Sequence, residues 1–251
     1  MKLTEIVTIL ESIAPPELAE DFDRGKIGLI LKGDQEVRKI ATSLDPTPYA
    51  IRKAIEMDAQ MLITHHTLIW NPVTVIGDEL AQKLRSLFEG GLSIYSMHTN
   101  YDRADGGVND VLAGLLGMHS VQPCGIGRIG CVEETGLKEF SEKVSESLET
   151  PVECIGDPGK RVKKIVSVAG SGFREGLETA KHFKADVLIS SELKHEVIRE
   201  RGDVALISAP HYNTEAPAMR ALAKRLCEYI PAEYIEDPPE IRVVNCVERH
   251  I

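Results

Sequence analysis

The chain has five cysteines, an odd number, and no two of them stand at a C-x-x-C spacing. That gives no disulfide framework and no thiolate metal site. Cys124, Cys131, Cys154, Cys227 and Cys246 read as free thiols of a reducing compartment. Long apolar runs are also missing, and nothing approaches the ~20 residues that cross a bilayer. The opening stretch MKLTEIVTILESIAPPELAEDF is not a signal peptide. Leu3, Ile6, Val7, Leu10 and Ile13 fall on one helical face, with Glu5 and Glu11 on the other. Positive charge is in deficit: 29 Lys and Arg against 39 Asp and Glu leave a net charge of -10. Duplex DNA is a poor partner for such a surface, because its recognition leans on cations that neutralise phosphates. Metal ions are a better one. The run KRVKK, Lys160–Lys164, is too short to reverse this and reads as the polar start of a strand. The expected setting is the cytoplasm, with no membrane partner.

Within 251 residues, 43% apolar and 27% charged, there is material for one large domain or two ordinary ones. Short β-rich runs alternate with helical patterns, which implies α/β architecture with a parallel sheet. The spacing predicts strands over Lys39–Leu44, Met61–Thr64, Leu92–Ser96, Lys164–Ala169, Val187–Ser190 and Val204–Ser208. It predicts helices over Pro48–Met57, Glu79–Phe88, Phe173–Phe183 and Ala216–Tyr229. The two halves repeat one plan. KIATSLDPTPYAIRKAIEMDAQMLITHH, from Lys39, matches KIVSVAGSGFREGLETAKHFKADVLISSE, from Lys164. After a further helix each half ends a strand in histidine, as IYSMHTNYD and LISAPHYNTE. The predicted fold is therefore α/β, two diverged Rossmann-like halves with mainly parallel sheets. The Gly/Pro-rich stretch Pro123–Gly130 suggests halves of 1–123 and 124–251, with a C-terminal strand that could pack back on the first.

Ligands of open α/β sheets gather at the carboxyl ends of strands. His65 and His66 close one strand. His98 closes another with Asp102 four residues on, and His211 closes its counterpart with Glu215 four residues on. Imidazole and carboxylate without thiolate suit Zn, Fe, Mn, Ni or Co. Two adjacent imidazoles diverge, so they reach two ions more easily than they chelate one. The economical reading is a dinuclear centre between the halves: two divalent ions, one imidazole of the pair on each, Asp102 and His211 on opposite sides, Glu215 bridging. His98 is then free for proton transfer, as a catalytic acid or base. Asn100 and Asn213 could orient ligands or simply form turns. The Gly-x-Gly turn in Ala169–Phe173 could cradle an anion, although tight geometry alone explains its glycines. Trp70 could wall the pocket or simply pack. Glu192, Lys194 and His195 occupy the counterpart of the His65–His66 position, as site residues or as a solvated helix start. His119, His182 and His250 fall outside the pattern.

These motifs resemble the Nif-three-like proteins, also described as dinuclear-metal-centre hexameric proteins or GTP cyclohydrolase I type-two homologues. The likeness runs through EDFDRGKIGLIL, TSLDPTPYAIRKAIEMDAQMLITHHTLIW, SMHTNYDRADGGVND, DVLISSELKHE and PHYNTEAPAMRALAKRL. It implies two linked α/β domains, a ring-shaped homohexamer, and metal ligands at His65, His66, Asp102, His211 and Glu215. Three positions depart from the family pattern. Thr67 stands where Gly or Pro is common, Pro210 where Gly is common, and Phe22–Leu29 where Trp-Asp-Asn-x-Gly-Leu is usual.

Three functions fit these observations. One is a metal-dependent hydrolase for a nucleotide-like or phosphorylated small molecule, GTP cyclohydrolase-like by resemblance. Another is a non-catalytic metal-stabilised ring, a binding or regulatory scaffold that could admit single-stranded nucleic acid if basic residues line it. The third treats the metals as cargo.

Overall fold

The computed structural model describes residues 1–240, so Cys246 and His250 lie outside the described residues. In the first part, helix α1 (Leu3–Ile13) and strand β1 (Gly28–Leu31) precede strands β2 (Ile40–Ser43), β3 (Met61–Thr64) and β4 (Ser93–Ser96). Helix α2 (Pro48–Glu56) joins β2 to β3, and α3 (Asp78–Glu89) joins β3 to β4. Helices α4 (Thr99–Arg103) and α5 (Val108–Leu115) follow. The second part opens on a hairpin, β5 (His119–Cys124) and β6 (Gly127–Gly136), then α6 (Leu137–Ser147) and β7 (Glu153–Ile155). Strands β8 (Arg161–Ser167), β9 (Val187–Ser190) and β10 (Ala205–Ser208) alternate with α7 (Phe173–His182) and α8 (His195–Glu200). Helix α9 (His211–Leu226) and strand β11 (Ala232–Tyr234) end the described chain.

The strands form two sheets, ordered β1-β4-β3-β2-β11 and β5-β6-β8-β9-β10-β7. The centre of each is three parallel strands, β2-β3-β4 and β8-β9-β10. Each triplet takes an antiparallel edge strand beside its last member, β1 on β4 and β7 on β10. The repeat read from the sequence is thus a repeat of topology. It extends to single hydrogen bonds. The Gln60 side chain accepts the N–H groups of Arg38 and Lys39 at 2.9 and 3.2 Å. The Asp186 carboxylate accepts those of Lys163 and Lys164 at 2.9 and 2.8 Å.

Alternation along the strands sorts side chains into layers. Ile40, Ile63 and Tyr95 of one sheet, and Ile165, Ile189 and Ile207 of the other, face one common core that includes Tyr101 and Leu112 and the α9 residues Met219 and Leu222. The opposite faces are covered separately. Ala41, Leu62 and Ile94 pack with Ile51 of α2 and Leu87 of α3, while Val166, Leu188 and Leu206 pack with Leu177 of α7 and Val197 of α8. Helices α4, α5 and α9 therefore lie between the sheets, with strand carboxyl ends converging on them.

The sequence pattern found the parallel triplets and gave no residue ranges for the strands around them. β1, β5, β6 and β11 are short, exposed or antiparallel, without the buried apolar run that marks a central strand. The Pro123–Gly130 stretch contains the turn of the β5–β6 hairpin. β11 runs parallel to β2 in the first sheet. Helix α9 begins at His211, five residues before the expected Ala216, because Pro217 lies inside the helix instead of at its start. The lost bond to the Asn213 carbonyl is offset by burial of Ala216, Ala218, Met219 and Leu222. No helix of the described residues is long and apolar enough to cross a membrane.

Candidate metal centre

The chain turns as β3 ends. The backbone N–H groups of His65 and His66 both reach the Leu44 carbonyl, at 3.1 and 3.0 Å. Two adjacent rings then diverge without clashing, with centroids 5.2 Å apart and planes at 51°. His98 precedes α4, and its ring lies 5.0 Å from that of His65. His211 opens α9, and its ring lies 5.4 Å from that of His66. All four imidazoles predicted at strand ends meet in one place.

Each ring is held through its Nδ1. His65 Nδ1 lies 2.8 Å from the Met97 carbonyl, His66 Nδ1 2.7 Å from Asp45 Oδ1, His98 Nδ1 2.8 Å from Asp23 Oδ2, and His211 Nδ1 2.9 Å from Glu192 Oε1. An acceptor at Nδ1 fixes the tautomer and orientation and frees Nε2 for another partner. Asp23 in turn accepts from the N–H and hydroxyl of Thr99, at 3.1 and 2.5 Å.

The carboxylates enter from the other side. Glu215, one helical turn after His211, splits its oxygens. Oε1 lies 3.8 Å from His65 Nε2, and Oε2 lies 3.2 Å from His66 Nε2 and 2.9 Å from His211 Nε2. Asp102 Oδ1 lies 3.7 Å from His65 Nε2. His65 Nε2, Asp102 Oδ1, His211 Nε2 and Glu215 Oε2 are buried and make no well-aligned hydrogen bond. Orphaned donors and acceptors at this density are costly unless something binds them together. A cation fits that requirement. Among the described residues, two groups have ligand atoms all within 4.8 Å of one another: His65, His66 and His98, and His66, His211 and Glu215.

Electrostatics set the members apart. Burial pushes His65 down to about 3, outweighing the attraction of Glu215. Burial also opposes charge on His66, but Asp45 and Glu215 overcome it and raise the ring to about 10. The same contest at His211, with Glu215 and Glu192 as partners, ends at about 9. Burial, reinforced by the Glu215 charge, holds the Asp102 carboxyl well above the usual range. Burial resists ionisation of Glu215, but three imidazoles around it hold its carboxyl far below the usual range. Against burial, hydrogen bonds from His98 and Thr99 keep the Asp23 carboxyl low.

The cluster floors a cavity of about 550 Å³ walled by Phe22, Trp70, Ile126 and the 168–172 turn. A smaller cavity of about 270 Å³, lined by Asp45, Thr47 and Asp237, meets His66 and His211 from another side. Trp70 thus walls the pocket. Several other residues singled out in the sequence do different work. Asn100 and Asn213 do not touch the rings; their amides donate to the Ala14 and Leu148 carbonyls at 2.8 and 3.0 Å. Gly170 and Gly172 turn their N–H groups inward, to Thr214 Oγ1 and Ser190 Oγ. Gly170 has a different necessity. Its φ is +64°, and a Cβ there would stand 2.1 Å from Glu215 Oε1. Glu192 braces His211, whereas Lys194 and His195 lie at the start of α8. His119 sits on strand β5 and His182 packs on Phe183.

Asp23 and Asp45 escaped the sequence reading. Asp45 follows the end of β2, where the strand-end rule points; Asp23 gave no signal beyond the acidic stretch around it.

Known proteins share this fold. The model of the Duf34/NIF3 (NGG1p interacting factor 3) family matches residues 1–237. The chain belongs to the NIF3 family. It is 32% identical to a GTP cyclohydrolase 1 type 2 homolog of Clostridium perfringens, over 96% of this chain and 99% of the relative. The homolog of that name in Methanocaldococcus jannaschii is 30% identical, over 94% and 98% of the two chains. Among solved NIF3 structures, the Bacillus cereus protein related to NIF3 superposes at a TM-score of 0.88, covering 97% and 99% of the chains at 20% identity. That likeness establishes the NIF3 fold for this chain.

Proposed function

We propose that this NIF3-family protein is a metal-dependent hydrolase with a dinuclear centre, acting on a nucleotide-like or phosphorylated small molecule. The observation that carries the proposal is the divided carboxylate of Glu215. Its Oε1 faces His65, the side on which Asp102 also stands, and its Oε2 faces His66 and His211. One ion would be held by His65, Asp102 and Glu215, and the other by His66, His211 and Glu215. Paired divalent ions supply an acidified water and a clamp for developing negative charge. The chain supplies the rest. Asp45, Glu192 and the Met97 carbonyl fix the ligand rings, and the cavity walls shield the floor from bulk water. His98 exchanges a proton with the substrate, held in place by Asp23. The GTP cyclohydrolase name of the relatives agrees with such chemistry, and a ring-shaped cytoplasmic homohexamer is the proposed working form.

The test pairs metal analysis of purified protein with a turnover screen of nucleotides and phosphoesters. Retained metals with turnover lowered ~10²–10⁴-fold are the expected result for His98→Ala. Loss of an ion in that variant would make His98 a ligand and remove it from proton transfer. A stable monomer in light scattering at micromolar concentration would refute the hexamer.

A further inference from the structure

Two of the chain's few aromatic rings are spent at the mouth of the pocket, where they remain partly in water. Trp70 is 45% exposed and Phe22 is 53% exposed. Leaving rings of this size in water forgoes the gain from burying apolar surface. Packing in the folded core does not account for them. Their centroids lie 6.3 Å apart with planes at 51°. Both rings stand over His98, Trp70 at 5.3 Å and Phe22 at 6.4 Å. Lys26 Nζ sits 4.2 Å from the indole centroid and 5.8 Å from the phenyl centroid, a cation–π contact that steadies the pair.

The two rings arrive on segments that also build the metal centre. Phe22 is the neighbour of Asp23, which holds His98. Trp70 follows the His65–His66 pair on the loop leaving β3. Position of the rings is therefore coupled to position of the reactive floor. The tilt makes a wedge and not a parallel slot. A flat ligand can lie offset against one ring, a favoured aromatic geometry, and meet the other at the 51° tilt between the two planes.

We infer that Phe22 and Trp70 form a stacking platform that selects ligands carrying a planar heteroaromatic ring and sets that ring beside His98. An aliphatic phosphoester has no face to offer the platform and is held by the floor alone. This rests on the preceding proposal only in taking the pocket as the substrate site.

Trp70 is the single tryptophan of the chain, so its emission reports on the platform alone. Zinc-loaded protein is titrated with adenosine 5′-monophosphate and with ribose 5-phosphate, by fluorescence and by calorimetry. The nucleotide is expected to quench Trp70 saturably, and ribose 5-phosphate to leave it unchanged. Trp70→Ala and Phe22→Ala should weaken nucleotide binding roughly 5–150-fold, the range for one lost base–aromatic stack. Ribose 5-phosphate binding and zinc content should not move, and Trp70→Phe should restore most of the nucleotide affinity. Nucleotide binding by calorimetry without quenching overturns the platform and leaves the metal-site reading standing. So does equal weakening of both ligands. If neither ligand binds the zinc-loaded protein, the platform and the reading of this cavity as a substrate site fall together.

Discussion

The two repeats share their parallel strands, the start of the first helix and even backbone brackets, yet they place different chemistry at matching positions. His98 and Asp102 correspond to His211 and Glu215, one acidic ligand candidate each. His65 and His66 correspond to Ser191 and Glu192. In the first repeat the strand end delivers imidazoles. In the second it delivers support: Ser191 Oγ lies 3.2 Å from Thr214 Oγ1, and Glu192 holds the His211 ring. Asp45 corresponds to Gly170. Asp45 reaches His66 at 2.7 Å, whereas any side chain at Gly170 would enter the space of Glu215 Oε1. The burial differs as well. His65 is wholly buried and its pKa falls to about 3, while the partly exposed His211 is raised to about 9. A duplicated frame offers two equivalent strand ends, at β3 and β9, but only the β3 end presents imidazoles to the cluster. The β9 end braces the His211 side of that cluster.

The sharpest way to break this comparison is to exchange behaviour at its most unequal pair. Gly170→Ala pushes a methyl into Glu215 and forces a left-handed backbone that costs ~1–2 kcal/mol for a residue with a Cβ. It should lower the melting temperature and abolish tight metal binding altogether. Asp45→Ala, at the matching position, removes only the brace on His66 and should weaken one ion ~10–100-fold. Metal titrations with thermal melts on both variants decide the matter, and equal losses would erase the distinction. Next in size, Glu215→Gln should weaken both ions together, whereas Asp102→Asn should weaken one. Independent loss of a single ion in Glu215→Gln would end the bridging role.

The pH dependence should differ in sign within the cluster, with His66 and His211 on one side and His65 on the other. Consider the protein stripped of metal by a chelator. His66 and His211 bind protons more tightly folded than unfolded, so their contribution is complete below the ordinary value of 6.5. It fades as pH rises through about 9 and 10. His65 does the reverse: its neutral form favours folding above 6.5, and that contribution is lost as pH falls towards about 3. Urea titrations across this range should show a shallower alkaline decline for His211→Gln and a shallower acid decline for His65→Gln. Metal uptake near neutrality should release protons, because His66 and His211 must give theirs up. Calorimetry in buffers of different ionisation heat measures that release. The smallest expected effect is Ser191→Ala, which loses one hydrogen bond worth ~1 kcal/mol and keeps its metals. An ion lost there would place the second strand end among the ligands.

Much of this was legible in the sequence because the same physics wrote it twice. Met61–Thr64 and Val187–Ser190 are buried on both faces, so continuous apolar runs marked them to the residue. The His65–His66 pair and the two H-x-N-x-(D/E) stretches were legible because polar residues directly after such strands stand out. The edge strands were not. β5 is exposed along most of its length, and β1 has four residues and no alternation. The start of α9 was obscured by Pro217, whose usual place is a helix start. Asp23 was invisible for a different reason. It lies 75 residues from His98 in a stretch without strand pattern, and only folding brings it to the ring.

The central claim is that two ions are shared between unequal halves, with one imidazole of the His65–His66 pair on each. Metal analysis of saturated wild type, His65→Ala and His66→Ala tests it most directly. Two ions per chain are expected in the wild type and one in each variant. One ion in the wild type, or two tightly held ions in both variants, would contradict it.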